Sequence, residues 1–278
     1  MGYLLGIGGN QNTGKSYSRK FLKEEAMVIT CNTKSIYLTK KDTTPVDHLQ
    51  FKAAEHETMM ETLQKWEVSS PVQLASLLVN TAISGKATPK LNIKGNYVLA
   101  ENILHADVWL KFVSLFMPHI KVVIFPDFTH YITETLTDHD FLAKGQTKQA
   151  FERYVELAAT AFNAFFKSAR VTRKDLIQVI EFHLEFDENA KVWTIFTPGG
   201  KMLKEKFKPE SYFDVFLVST FIDEDEDKTL KYGERFKFVT RKMKHFDARS
   251  NVHDPETEAL VPNDLQDVIS RIRKAENL

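Results

Sequence analysis

Short apolar runs alternate along this chain with longer stretches in which apolar residues recur every three or four positions. That alternation is the signature of strands and helices in a mostly parallel α/β sheet. Residues 3–7, 26–30, 96–100, 121–125 and 176–182 read as strands, and the unbroken apolar run from Val122 to Phe125 suits a central strand buried on both faces. Helices are predicted from about Gly14 onward, over 71–83 with Pro71 in the first turn and Gly85 as the stop, and over 106–116. A further long helix covers 151–168, where Tyr154, Leu157, Ala158, Ala161, Phe162 and Phe165 fall at helical spacing. Beyond residue 182 the pattern turns antiparallel-looking, with runs at 192–196, 202–207, 213–219 and 236–240 before a capped helix over 263–274. Residues 40–65 are polar without a clear period and read as an insertion. The economical reading is one α/β domain over 1–278 with a β-rich C-terminal extension from about 190.

Composition narrows the class. Lys+Arg and Asp+Glu both number 37 in 278 residues, so the net charge is zero. This argues against a protein coated in positive charge and leaves room for a local basic groove. The apolar runs fall far short of a membrane span, and Gly8, Gly9 and Asn10 interrupt the apolar start, which no basic stretch precedes as a secretory leader requires. Cys31 is the single cysteine, which excludes an internal disulfide and a cysteine-rich zinc site. A soluble protein of a reducing compartment, the cytoplasm, is expected, with no membrane partner.

The strongest chemical signal is Gly9-Asn10-Gln11-Asn12-Thr13-Gly14-Lys15-Ser16, which satisfies G-x-x-x-x-G-K-[ST], with Tyr17 next in the chain. Glycines let such a loop wrap so that backbone N–H groups point inward at phosphate oxygens. A helix starting there adds the positive end of its dipole. Lys15 is expected to reach the β- and γ-phosphates of ATP, and the Ser16 hydroxyl to bind Mg²⁺. An apolar strand before the motif and a helical pattern after it favour this over an ordinary glycine turn. Such a site needs an acidic partner for the metal. Asp127, after the apolar run and Pro126, is the best choice, holding Mg²⁺ through water beside Ser16.

Two basic loops are candidates for nucleic acid. Residues 140–149 carry Lys144 and Lys148 around Gly145, and residues 189–206 carry Lys191, Trp193, Phe196, Lys201, Lys204 and Lys206 around Gly199 and Gly200. Single-strand binders combine cations for the backbone with aromatics for stacking. A hairpin with Trp193 and Phe196 in the core explains the second segment equally well. The acidic run at 223–227 reads as a solvated loop, and His245, Asp247, His253 and Asp254 lack a compact metal-ligand spacing. His183-Leu184-Glu185 has the H-x-E of deaminases without the P-C-x-x-C that must follow.

Taken in order, GNQNTGKS, KVVIFPDFTHY, DLIQVIEFHLEFD, TPGGKMLKEKF and FKFVTRKMKH with VPNDL resemble a bacteriophage family of RecA-like core ATPases. These are the phage nucleotide-binding proteins, among them single-strand annealing proteins of the Sak type. The resemblance covers nearly the whole chain, residues 40–95 being poorly matched. It implies a RecA-like P-loop NTPase core and a DNA-stimulated ATPase that binds and anneals single-stranded DNA in phage replication, in the host cytoplasm. Implied partners are single-stranded DNA, a single-strand binding protein, and further copies of the chain in a ring or filament with shared active sites.

By the same resemblance His183, at the tip of the strand after the Asp127 strand, senses the γ-phosphate, and Lys242 and Lys244 complete a neighbouring subunit's site, with Arg241 as alternate. The K-x-K spacing places both lysines on one face of a strand; a solvated basic edge accounts for them as well. The water-orienting glutamate usual in this class is missing after residues 26–30. Glu101 is the best substitute and Glu134 the second; if neither serves, turnover is slow. Two further functions stay open: a helicase or packaging motor, and a nucleotide-gated scaffold without appreciable turnover.

Overall fold

A computed structural model describes residues 1–31, 70–86, 88, 96–137, 148–197, 203, 206–223 and 226–278, with 135–137, 148–154 and 157 described by backbone alone. The strands are β1 (Tyr3–Gly8), β2 (Ala26–Thr30), β3 (Tyr97–Leu99), β4 (Val122–Phe125), β5 (Ile177–Phe182), β6 (Leu184–Asp187), β7 (Val192–Ile195), β8 (Val215–Phe221), β9 (Phe236–Val239), β10 (Lys242–Met243), β11 (Phe246–Asp247) and β12 (Leu260–Pro262). The helices are α1 (Lys15–Ser18), continued by a 3₁₀ turn over Arg19–Phe21, then α2 (Pro71–Ile83), α3 (Ile103–Phe116), α4 (Phe128–Thr137), α5 (Lys148–Arg170) and α6 (Leu265–Glu276).

Eight strands form the main sheet in the order β12-β9-β8-β1-β5-β4-β2-β3. From β8 to β3 every pairing is parallel, and β9 and β12 extend the β8 edge antiparallel. The pleat sends alternate side chains to opposite faces, and both faces are covered. Leu4, Val123, Phe125, Ile180 and Phe182 join the core beneath α2, α3, α4 and α5. Leu5, Ile7, Ile124 and Val179 meet Leu265, Val268, Ile269 and Ile272 of α6 on the other side. Burial on both faces is why these strands read as continuous apolar runs.

Local chemistry sets the helix limits. Ser70 caps α2 by accepting from Gln73 N, with Pro71 at the first position, whose N–H has no helical partner anyway. Asn102 caps α3 by accepting from the Leu104 and His105 amides, so this helix starts at Ile103, three residues ahead of the predicted start. Asp264 caps α6 by accepting from the Gln266 and Asp267 amides. Phe128, the first residue of α4, is fully buried among Phe165, Phe166 and Phe182, with ring centroids 5.3, 5.6 and 5.3 Å away. That packing anchors the turn carrying Asp127, which has a left-handed φ of 52°.

The helix expected near Gly14 begins at Lys15 and runs for four residues before a 3₁₀ turn. Two expectations are corrected. The segment after residue 182 is not uniformly antiparallel: β8 pairs with β1 in parallel, Leu5 opposite Val215, and so belongs to the central sheet. Residues 202–207 do not form a strand where described: Leu203 and Lys206 are helical, and Phe207 N donates to Leu203 O. Leu203 and Phe207 are both buried, and a spacing of four puts them on one face of a helix as it would of a strand, so the i→i−4 bond and not the spacing decides. Among the described residues no helix is long and apolar enough to cross a membrane.

Truncating Phe128→Ala removes the centre of the aromatic cluster and is expected to lower unfolding stability by about 3–5 kcal/mol in urea titration. Phe128→Leu should cost less than half of that.

Candidate functional site

Six parallel strands present their carboxyl ends along one edge, where open α/β sheets bind ligands. A cavity of about 700 Å³ lies there, lined by the loop after β1, by Pro126, Asp127 and His130 after β4, by Glu181 and His183 at the end of β5, and by Tyr232 and Phe236. The loop is held from several sides. Gly9 N donates to Phe182 O at 3.1 Å, Thr13 Oγ1 to Asn10 O at 2.9 Å, and Ser219 Oγ of β8 to Thr13 O at 2.6 Å. Gly14 has φ +96°, and a Cβ there would sit 2.5 Å from the Phe236 ring, so this position admits glycine on both counts.

Lys15 Nζ donates to the carbonyls of Gly9 and Asn10, the latter at 2.9 Å. Burial pushes its ammonium below the usual lysine range, against the opposing pull of Glu181 and Asp127. Asp127 is flanked by two imidazoles: His183 Nε2 lies 3.2 Å from Oδ1 and His130 Nε2 3.1 Å from Oδ2. Burial raises the Asp127 carboxyl, but His183, His130 and Lys15 together outweigh it and hold the group below its ordinary value. Asp127 is therefore a carboxylate at neutral pH. Its Oδ1 is buried without an aligned hydrogen bond. With Ser16 in the same cavity, this is an oxygen donor set that fits a hard divalent cation such as Mg²⁺.

Beneath the loop Arg19 and Glu181 form a bidentate ion pair, Nε to Oε1 at 2.8 Å and Nη2 to Oε2, with side chains 1% and 2% exposed. Arg19 thereby engages both Glu181 oxygens. Asp127 and Glu181 are the carboxylates lining the cavity among the described residues, so Glu181 is not free to orient water.

The structure brings together Asn10, Gln11, Asn12, Gly14, Lys15, Ser16, Tyr17, Asp127 and His183 around one cavity, with Gly9 and Thr13 closing the loop behind it. The other candidate residues lie away from this cavity or outside the described residues. Glu101, 85% exposed, lies 3.6 Å from His105, does not line the cavity, and follows the edge strand β3. Glu134 is exposed on α4 and does not line it either.

Lys242 and Lys244 do not share a strand face, because β10 ends at Met243 and Lys244 is a left-handed turn residue with φ 51°. Neither lines this chain's cavity. Lys191 pairs with Glu188 at 3.0 Å, and Trp193 on β7 packs against Phe186 with centroids 5.3 Å apart, at the border of the core. Lys144, Lys201 and Lys204 lie outside the described residues, and Lys148 is described by its backbone alone.

Sequence reading missed the Arg19–Glu181 pair, the His130 contact and the support from Ser219. A charged Glu181 inside the apolar run 176–182 was the available signal, since an unpaired buried carboxylate is too costly to keep.

No family model matches the chain, and no curated protein matches it. Among solved structures, the chain is similar to a prototypical ATPase from the type III secretion system of pathogenic bacteria. That match is 11% identical, covers 82% of this chain and 54% of the other, and has a TM-score of 0.37. This chain thus spans about half the length of that ATPase, and a likeness this low carries no argument about function.

Removing one member of the buried pair should be expensive. Glu181→Gln is expected to lower unfolding stability by about 3–5 kcal/mol, and the apolar pair Arg19→Met with Glu181→Leu to recover most of that loss, read by urea denaturation. Cys31, at the end of β2, has its thiol pushed up to about 12, chiefly by burial and then by Asp127. A raised thiol pKa leaves little thiolate, so alkylation by iodoacetamide at pH 8 should be at least about a hundredfold slower than for free cysteine.

Proposed function

We propose that this chain binds and hydrolyses Mg·ATP through the loop Gly9–Ser16, and that it is a RecA-like ATPase. The observation that carries the reading is the closed, glycine-dependent loop at the carboxyl edge of β1, with Lys15 inside it and Asp127 and His183 facing it from β4 and β5. Backbone amides of the loop bind the phosphate tail, and Lys15 moves from its own loop carbonyls to the β- and γ-oxygens. Ser16 and Asp127 would hold the metal, whose charge, when bound, would offset negative charge on the phosphates. His183 stands where a polar group senses the γ-phosphate.

Since Arg19 occupies Glu181 and Glu101 is elsewhere in the chain, no free carboxylate of the described cavity is left to orient the attacking water. Turnover by the isolated chain is therefore slow. The annealing of single-stranded DNA is proposed from the sequence resemblance, as is the multimer that would bring Lys242 and Lys244 of one copy to the site of the next.

Lys15→Ala is expected to abolish phosphate release and weaken Mg·ATP binding at least tenfold in calorimetry while leaving the melting temperature of the free protein near that of wild type. Asp127→Asn should retain nucleotide binding and lose its dependence on magnesium. Unchanged turnover in Lys15→Ala would remove the loop from the mechanism. For the DNA reading, a labelled single-stranded oligonucleotide should bind at low salt and pair with its complement faster with protein than without. Absence of both effects refutes that part alone.

A further inference from the structure

Beside the phosphate-loop cavity lies a second one, also of about 700 Å³, and Tyr17 and Phe236 line both. Its aromatic wall consists of Tyr17, Phe21 and Phe236, with Tyr17 and Phe236 at 4.7 Å and Tyr17 and Phe21 at 5.9 Å between centroids. Lys20 Nζ sits 3.4 Å from the Tyr17 ring centroid and holds that ring in place. Opposite, the turn at Gly233 comes so close that a Cβ there would fall 2.6 Å from the Tyr17 hydroxyl. A cleft walled by rings and adjoining a phosphate loop has the chemistry of a site for a flat heterocycle.

Asn263 lines this cavity and is 3% exposed, and its Oδ1 is buried with no hydrogen-bond partner. The orientation of its amide follows from the neighbouring bonds. Ser219 Oγ gives its one proton to Thr13 O at 2.6 Å, and a carbonyl can only accept. Ser219 Oγ must then accept from Asn263, which donates through Nδ2 at 2.8 Å. That commits the nitrogen of the amide to Ser219 and leaves the oxygen as the unpaired acceptor. Leaving a buried acceptor unmade is costly, and a ligand amine in this cavity removes the cost.

We propose that the second cavity is the base site of the nucleotide whose phosphates occupy the loop, and that Asn263 Oδ1 accepts from the 6-amino group of adenine. This rests on the phosphate-loop reading and adds the base to it. Guanine presents a carbonyl at position 6, which sets acceptor against acceptor. The same chain of bonds joins base and phosphate recognition, because Asn263 holds Ser219 and Ser219 holds the loop at Thr13.

The experiment is calorimetry at fixed magnesium with four probes: ATP, GTP, purine riboside triphosphate, which lacks only the 6-amino group, and inorganic tripolyphosphate, which lacks the base. The wild-type chain should bind ATP about tenfold or more tighter than GTP and than the deaminated analogue. Asn263→Ala should bring ATP and the analogue within about twofold of each other. Tyr17→Ala should weaken all three nucleotides by about tenfold and tripolyphosphate by much less. Equal wild-type affinities for ATP and the analogue overturn the Asn263 assignment even if the variants fail to fold. Tripolyphosphate binding as tightly as ATP overturns the base site and leaves the phosphate loop standing. Binding of none of the four overturns both.

Discussion

Strands that run the same way must end at the same edge, and everything this chain can do chemically follows from that geometry. The loop after β1, the turn after β4 and the tip of β5 come from residues far apart in sequence, yet the parallel register sets them side by side. Because β5 lies between β1 and β4, the phosphate loop and Asp127 are separated by two strand spacings, about 10 Å. Direct pairing of Lys15 with Asp127 is replaced by local partners: Lys15 turns to its own loop carbonyls, and Asp127 to two histidines. A phosphate with its cation is the kind of occupant that fills such a gap.

The shortness of α1 shifts the burden within this site. A helix of four residues carries little macrodipole, so the proposed attraction for anions rests on loop amides and Lys15. Those amides point usefully only while the loop keeps its shape, and the shape is held by the C-terminal half of the chain. Phe236 of β9 packs where a side chain at Gly14 would be, and Ser219 of β8 ties down Thr13. The late strands are therefore structural partners of the first loop rather than an appendage, which agrees with the parallel docking of β8 against β1.

What could be read from the chain divides along the same line. The phosphate loop and the strand before Asp127 were legible because glycine spacing and apolar runs are local signals. The direction of β8 was not, since a strand carries no local mark of whether its neighbour runs parallel or antiparallel. Residues 202–207 misled because Leu203 and Phe207 fit a short apolar run as readily as a helical period. The lysines at 242 and 244 obey period two only if the strand continues, and the left-handed turn at Lys244 ends it. Arg19 and Glu181 are partners across the fold, and no spacing rule connects them.

That ion pair also settles a question of charge. A buried carboxylate beneath the Gly9–Ser16 loop would repel the anion proposed to bind there, and a buried guanidinium alone would be too costly to desolvate. Paired in bidentate fashion, the two cancel and leave the field of the cavity to Lys15 and Asp127. The pair also stiffens the floor: Arg19 follows α1 directly, so its bond to β5 fixes the short helix to the sheet without help from helix length. Fold and chemistry share one solution here, since the bond that neutralises Glu181 is the bond that holds the loop's far end in place.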